Sequence, residues 1–171
     1  MTGATLSLKI HARLALLILV ASASPAVAQN PTCRDLVDGI VRQATSDVLS
    51  DAAKARPSMK ELGSEQLARL AGKQFLGADR ADFKAYGYMM LLWYGGKEGR
   101  DIAASHSASL STEEDRAHFY FVLGLFQLRS ANIKTANTGR DYIRQVRASG
   151  KVTFVKDEMW NELETGCRLP S

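Results

Sequence analysis

The side chains that could support chemistry are few, and the sequence does not group them. After the first 28 residues the chain has two histidines, His106 and His118. They lie 12 positions apart, neither has a carboxylate at the i+4 position, and neither belongs to a metal-binding repeat such as His-Glu-x-x-His. We therefore expect no metal site, and we expect His118 to pack within a helix.

The sequence indicates neither a nucleophile nor a phosphate-binding loop. No serine lies in the Gly-x-Ser-x-Gly context that exposes a nucleophile on a strand-to-helix turn. Residues 95–100 (GGKEGR) lack the first glycine of a phosphate loop and the Ser or Thr that follows its lysine. This segment predicts a polar turn between two helices.

The carboxylates do not form a recognisable catalytic pair. Glu113, Glu114 and Asp115 are consecutive, so in a helix they point around the axis, and the helix dipole explains them. General acid–base catalysis needs two groups on opposite sides of one substrate. We therefore expect a protein that is not an enzyme and that has no cofactor. The alternative, a small hydrolase with a site hidden from the sequence, requires a pocket that joins His118 to a carboxylate.

The first 28 residues have the pattern of a cleaved secretory signal peptide. Basic residues at 9–13 precede the apolar run 14–21 (LALLILVA), and Ala26-Val27-Ala28 forms a small-x-small cleavage site. The apolar run is far shorter than the roughly 20 residues that a membrane span needs. We expect residues 29–171 to form a single helical domain in the periplasm, or secreted beyond it, with no membrane span.

The charge of the chain after the leader is close to balanced. The whole sequence has 22 Lys plus Arg against 18 Asp plus Glu, and the leader contains Lys9 and Arg13 but no acid. The rest therefore has 20 basic and 18 acidic side chains, a net charge of +2. Because it also lacks a basic cluster interleaved with aromatic residues, we expect no nucleic-acid partner.

Cys33 and Cys167 are the two cysteines of the sequence. Each lies near one end of the chain that follows the leader, and two lone thiols in an oxidising compartment most often pair. Neither belongs to a Cys-x-x-Cys motif or has a histidine nearby, which argues against a redox or metal site. We predict a disulfide that closes almost the entire chain into one loop. In the chain-entropy model such a bridge contributes roughly 4 to 5 kcal/mol to the free energy of unfolding.

Apolar residues recur at three- and four-residue steps through most of the remaining chain, which predicts an all-α fold. Thr32 is the expected cap of the first helix, with Asp35 in its first turn, and Ser64 is the expected cap of the second. Residues 111–114 predict a capping box. The predicted helices span residues 32–57, 64–77, 79–94, 111–128, 133–150 and 157–167, with a short helix around 100–104 and an extended stretch at 151–155.

Two segments, residues 85–94 and 118–128, carry no Asp, Glu, Lys or Arg. A helix that is apolar all round must be surrounded by other helices. We therefore expect a compact bundle of six or seven helices arranged as helical hairpins, with the N- and C-terminal regions joined by one disulfide. The two segments carry more aromatic rings than one interface between two helices can bury, so some of these rings should line a partner-binding groove. The predicted groove residues are Tyr88, Tyr94, Phe119 and Gln127.

Two predicted hairpins, residues 83–105 and 119–148, have turns offset by about 36 residues, near the 34-residue period of tetratricopeptide repeats. The second hairpin resembles one unit of that family, because Leu123-Gly124 and Ala136 fall at its Leu-Gly and small-residue positions. In the first hairpin, Arg100 occupies a position that should be small. The resemblance implies a concave face that binds a peptide or a partner helix. Convergent helical hairpins would give the same pattern.

A second resemblance lies in three short patches. Residues 33–36 (CRDL), the aromatic segment 86–94 ahead of Gly-Gly, and residues 160–170 around Cys167 are similar in order to periplasmic helical proteins of the HdeA acid-stress chaperone type. This resemblance implies terminal helices joined by one disulfide and aromatic helices that become exposed on acidification. The two cysteines are 134 positions apart, which requires an additional hairpin relative to that family.

The sequence thus favours an exported, non-enzymatic module that binds a protein or peptide partner of the cell envelope through an aromatic groove. An acid-stress or envelope chaperone is the first alternative, and a small hydrolase is the second.

Overall fold

The computed structural model describes residues 32–55 and 63–167, and within these ranges it contains seven helices and no strand. Side chains are described for residues 32–46 and 63–167. The predicted leader, residues 1–28, lies outside the described residues. The all-α prediction is confirmed. The helices are α1 (Cys33–Ala55), α2 (Ser64–Leu76), α3 (Ala81–Tyr94), α4 (Gly96–Ser107), α5 (Glu113–Leu128), α6 (Ile133–Ser149) and α7 (Asp157–Gly166).

Local capping chemistry sets several helix starts, with two corrections to the predicted caps. Thr32 and Asp35 cap each other: the Asp35 N–H donates to Thr32 Oγ1 over 3.2 Å, and the Thr32 N–H donates to Asp35 Oδ2 over 3.3 Å. Ser64 is the first residue of α2 rather than its cap, and no side chain caps that helix. The cap of α5 is Thr112, one residue later than predicted, because its Oγ1 accepts from the Asp115 N–H over 3.0 Å.

The antiparallel hairpins are α2–α3 and α5–α6, because α2 packs chiefly on α3 and α5 chiefly on α6. The predicted hairpin of residues 83–105 pairs α3 with α4, but α3 contacts α4 less extensively than it contacts α2. Helix α4 is also longer than the short helix predicted around 100–104. Only Gly95 separates it from α3, and Gly96 adopts a φ of 65°, which favours glycine at this turn.

In each hairpin the two helices cross where two glycines face each other. A Cβ on Gly87 would lie 2.8 Å from the Gly72 carbonyl oxygen, and a Cβ on Gly139 would lie 2.7 Å from that of Gly124. These distances are shorter than real Cβ atoms tolerate. The helix axes therefore approach more closely than any other residue type would allow at these positions.

The two hairpins share one packing register. The pair Gly124 and Gly139 lies 52 residues after the pair Gly72 and Gly87, and both hairpins have four connecting residues, 77–80 and 129–132. The equivalent units are thus α2–α3 and α5–α6. The predicted hairpin of residues 119–148 lies within α5–α6, whereas the predicted hairpin of residues 83–105 joins α3 to α4 instead of α2 to α3. The resemblance to tetratricopeptide repeats stays a prediction.

The ends of the described chain are joined as predicted. Cys33 and Cys167 form a disulfide with an S–S distance of 2.12 Å and a Cα–Cα distance of 4.5 Å. Because Cys33 opens α1 and Cys167 follows α7, the bridge links the first helix to the last. Trp160 and Leu163 are buried and form the inner face of α7, as the sequence indicated.

The stretch of residues 151–155 is not extended into a strand. Its Val152 and Val155 are buried, so it is an irregular connection that contributes to the core between α6 and α7. The core also includes Val37 of α1, Met89 of α3 and Phe121 of α5. In the part of the chain that the structure describes, no helix combines the length and the apolar character needed to cross a membrane.

Candidate functional site

The predicted groove residue Tyr88 lies in the core. Its side chain has no exposed surface, and its ring contacts Phe119 with the centroids 4.9 Å apart. The hydroxyl lies 2.7 Å from Nδ1 of His106, and we assign the phenol as the donor because the described residues offer it no other acceptor. Tyr88 therefore cannot contact a partner in this conformation, which corrects its assignment to an open groove.

The other three predicted groove residues are half-buried. Tyr94 and Phe119 pack against the hydrophobic core. Gln127 lies beside the glycine crossing of α5 and α6, with its Cβ 2.9 Å from where a Cβ on Gly139 would be, and its Oε1 is buried without a hydrogen-bond partner among the described residues. None of the four predicted residues lines any of the three cavities described below.

A different pair of aromatic residues lies at the surface, on the hairpin α5–α6. The rings of Tyr120 and Tyr142 are 5.0 Å apart between centroids, and Tyr120 keeps 39% of its surface exposed. They line a groove of about 410 Å³, which we call the tyrosine groove. Its lining residues are Glu113, Arg116, Ala117, Tyr120, Tyr142, Gln145, Val146, Ser149 and Lys151.

Helical periodicity explains the two walls of the tyrosine groove. On α5, Arg116 and Ala117 precede Tyr120 by four and three positions, so they share its face. On α6, Gln145 and Val146 follow Tyr142 by three and four positions. Ala117 and Val146 are buried beneath the rings, which gives the groove an apolar floor.

Charged side chains border the tyrosine groove. Lys151 Nζ lies 3.5 Å from Glu113 Oε2, and both side chains are largely exposed. Arg116 donates from one nitrogen to the carbonyl oxygens of Leu110 and Ser111, each over 3.3 Å. A guanidinium has five N–H donors, so Arg116 retains donors for a ligand. The border thus has two cations and one carboxylate.

A second cavity, of about 440 Å³, joins His118 to several carboxylates, and we call it the His118 cavity. A pocket that joins His118 to a carboxylate is what the hydrolase alternative requires. Which carboxylates would lie there could not be predicted from the sequence, because the walls come from the start of α3, the start of α5 and the connection after α6. The lining residues are Asp79, Arg80, Ala81, Asp82, Thr112, Glu114, Asp115, His118, Thr153 and Phe154.

His118 is held firmly in the wall of this cavity. Its side chain is 2% exposed and stacks on Phe154 with the ring centroids 5.6 Å apart. Nδ1 lies 2.9 Å from the carbonyl oxygen of Glu114. A carbonyl oxygen only accepts, so Nδ1 carries a proton and donates it to Glu114.

Two of the cavity carboxylates are already paired. Arg80 donates from Nε to Asp82 Oδ1 over 3.0 Å and also contacts the other oxygen, and these hydrogen bonds hold the pKa of Asp82 below its ordinary value. Lys84 Nζ lies 2.9 Å from both oxygens of the buried Asp115. Asp79 and Glu114 have no ion-pair partner in the ranges that the structure covers.

His106 borders a third, shallower cavity of about 800 Å³ between the end of α2 and α4. Burial, reinforced by the charge of Lys84, lowers the pKa of its imidazole, while Asp115 acts in the opposite direction. Glu98 and Asp101 line the same cavity. The neutral form of His106 is therefore favoured, which agrees with its acceptance of the Tyr88 hydroxyl proton.

The described residues contain no group of three or more His, Cys, Asp or Glu side chains placed to hold a metal ion. Comparison of the chain with protein-family models, with curated proteins and with solved structures found no match in any of the three. The functional argument therefore depends on the geometry of these cavities.

Proposed function

We propose that this protein is an exported, non-enzymatic binding protein that engages a protein or peptide partner through the tyrosine groove. The observation that carries the proposal is the ring pair of Tyr120 and Tyr142 over an apolar floor. Tyrosine joins a large apolar surface to a polar edge, and such residues supply much of the energy at protein interfaces. Pairs of helices bind peptides along grooves of this kind.

The export part of the proposal depends on the leader pattern and on the disulfide. Disulfides persist in oxidising compartments and are rare in the cytosol. The bridge between Cys33 and Cys167 therefore supports a location outside the cytoplasm. The order of charged, apolar and small residues in the leader supports the periplasm, or secretion beyond it.

The groove walls favour a peptide with one large apolar side chain followed by a carboxylate. The floor at Ala117 and Val146 and the two rings suit an aliphatic or aromatic anchor. A volume of about 410 Å³ accepts one or two such side chains rather than a long segment. Arg116 and Lys151 outnumber Glu113 at the border, so an acidic residue beside the anchor complements the local charge.

A peptide selection tests this proposal directly. Random peptides displayed on phage would be selected against the oxidised protein, and the best peptide would be titrated while backbone amide shifts are recorded by NMR. We expect an apolar-then-acidic motif and shift changes that centre on Tyr120, Tyr142 and Gln145. The double variant Tyr120→Ala/Tyr142→Ala should weaken binding by roughly tenfold or more, as loss of two aromatic anchors does at other interfaces.

Phe83→Ala is the matched control. Phe83 is 38% exposed, close to the 39% of Tyr120, but it lies on α3 outside the tyrosine groove. Binding should survive this substitution. Shift changes that map away from the groove, or equal losses in the control and the double variant, would refute the proposal.

An envelope chaperone that responds to acid is the second candidate function. The observation that favours it is the buried ion pair of Lys84 and Asp115, which links α3 to α5. Loss of the pair would loosen the contact between α3 and α5 and expose their aromatic residues. Suppression of client aggregation at acidic but not at neutral pH would support this function, and equal behaviour at both would reject it.

A further inference from the structure

We propose that the tyrosine groove binds an amphipathic α-helix of a partner protein, one that carries a carboxylate beside its apolar face. This inference rests on the proposed function and adds the conformation of the partner, which the volume and the charge of the groove do not specify. It comes from the correspondence between the two hairpins, because on α2–α3 the face that corresponds to the tyrosine groove already has a helix of this kind packed on it.

The glycine crossings establish which residues of the two hairpins correspond. At both crossings an added Cβ would meet a glycine carbonyl oxygen and a leucine nitrogen, and the equivalent residues lie 52 positions apart, as Gly72 and Gly124 do. Helices are regular, so the same offset relates the other positions of α2 to α5 and of α3 to α6. Tyr120 therefore corresponds to Ala68, and Tyr142 corresponds to Met90.

Helix α1 packs on that face of α2–α3. Ala68 and Met90 have no exposed surface, and α1 contacts both α2 and α3. Trp93 follows Met90 by three positions and so shares its side of α3, and its ring N–H donates to the carboxylate of Asp38 in α1. Val37, next to Asp38, is fully buried. The first hairpin thus binds an amphipathic helix with a carboxylate beside its apolar face.

The corresponding face of α5–α6 has no such cover. Within the described ranges, α6 makes extensive contact with α5 alone, whereas its counterpart α3 packs on α1, α2, α4 and α5. The open side of α6 has a stripe of uncharged residues spaced alternately three and four positions apart, which is the spacing at an interface between two packed helices. The stripe consists of Thr135, Thr138, Tyr142, Gln145 and Ser149.

The stripe has the length of a helix rather than of a single side chain. It extends over about 21 Å, or roughly four helical turns. The groove of about 410 Å³ accepts one or two anchor side chains, so the rest of a bound helix would lie along the stripe. The described part of the chain has no strand, and hence no strand edge that could pair with an extended peptide.

The charges around the stripe favour an acidic helix. Gln145 corresponds to Trp93, and its amide group has two N–H donors. A carboxylate placed as Asp38 is in α1 would accept a hydrogen bond from Gln145. Arg116 and Lys151 outnumber the one carboxylate at the border of the groove, which complements the negative charge of such a helix.

The bound conformation of the best peptide from the phage selection tests the inference. Transferred NOE spectra with the oxidised protein should show the contacts between consecutive amides, and between residues i and i+3, that are typical of a helix. A side-chain lactam that locks the helix should strengthen binding several-fold. Proline at a central position should weaken it by about tenfold or more. Proline at the first helical position is the matched control, because a helix tolerates it there.

Gln145→Glu tests the expected place of the partner's carboxylate. The new like charge should weaken binding of the acidic peptide by about tenfold. Asn137→Asp is the matched control, since it makes the same change from amide to carboxylate at an exposed position of α6 outside the stripe and the groove. Equal weakening in the two variants would show general repulsion and would contradict the proposal.

The results separate this inference from the proposed function. A peptide that maps to the tyrosine groove but is extended when bound, or that tolerates the central proline, would overturn the helical partner and leave the groove as a peptide site. A selection that returns no peptide for the groove would refute both proposals.

Discussion

Trp93 Nε1 donates a hydrogen bond to Asp38 Oδ1 over 2.9 Å, which joins the second turn of α1 to the end of α3. Arg129, at the end of α5, contacts the same carboxylate with Nε 3.0 Å from Oδ1. Its guanidinium also lies over the Trp93 ring, 5.5 Å from the centroid. One half-buried carboxylate therefore connects three helices that are far apart in sequence.

Asp38→Ala should destabilise the protein by about 2 to 3 kcal/mol, because it leaves the Trp93 N–H and the Arg129 guanidinium without their shared acceptor. Urea unfolding followed by tryptophan fluorescence would measure the change. The control is Asp101→Ala, which removes only the exposed ion pair with Lys97 and should cost less than about 0.5 kcal/mol. Equal losses in the two variants would contradict the role of Asp38.

The disulfide should contribute about 4 to 5 kcal/mol to the free energy of unfolding, because it closes a loop of 134 positions. The variant Cys33→Ser/Cys167→Ser should retain its helical circular dichroism and unfold at a lower urea concentration. Reduction of the natural protein should reproduce the shift. A double variant as stable as the oxidised protein would show that packing alone holds α1 against α7.

Gly139→Ala should destabilise the protein by about 2 kcal/mol or more, because the new Cβ would lie 2.7 Å from the Gly124 carbonyl oxygen and 2.8 Å from the Leu128 nitrogen. Both obstacles are backbone atoms, so the helices must separate. Gly39→Ala is the contrasting variant: an added Cβ meets nothing within 4 Å on an exposed helical site. It should stabilise α1 by about 0.5 to 1 kcal/mol. Thermal unfolding of both variants would reveal the opposite signs.

Acidification should lower stability first through His106. The pKa of His106 is depressed in the folded state. Its contribution to the free energy of unfolding is therefore fully present above the ordinary histidine pKa of about 6.5, and it is lost as the pH falls through the folded-state pKa. Asp82 adds a second loss below about pH 4, because its folded pKa is depressed by Arg80. Burial raises the pKa of Tyr88, so stability also falls above about pH 10.

His106→Gln separates the first of these effects from the others. Glutamine can still accept the Tyr88 hydroxyl proton but does not titrate. Urea unfolding at pH 7.5, 6.0 and 5.0 should show a smaller decline for this variant than for the natural protein. Parallel declines would assign the acid sensitivity to other groups.

Much of the fold could be predicted from local chemistry in the sequence. The reciprocal cap of Thr32 and Asp35 and the inner face of α7 follow from residues that lie a few positions apart. The disulfide follows from the residue type alone, since the sequence has two cysteines. The glycine crossings could not be predicted, because Gly72 and Gly124 act only through a second glycine 15 positions later on another helix. The choice of α2 over α4 as the chief partner of α3 follows from these crossings.

The candidate sites were harder to predict than the helices. Tyr88 and Tyr120 are both tyrosines within apolar segments, and the sequence alone does not show which one faces neighbouring helices. A charged residue four positions earlier does not separate them, because Arg116 precedes the exposed Tyr120 and Lys84 precedes the buried Tyr88 by the same spacing. The His118 cavity draws on three separate segments, so its assembly is a tertiary property.

The repeated glycine interlock has a consequence for how the two hairpins can differ. Only the crossing positions and the leucine or isoleucine beside them must be alike, as Leu91 and Ile143 are in their contact with Gly72 and Gly124. Leu76 and Leu128, which lie against Gly87 and Gly139, also correspond between the hairpins. Helix α3 is thus apolar and enclosed, whereas its counterpart α6 bears charges and faces water. The same glycine crossing therefore holds together one hairpin at the centre of the molecule and one at its border.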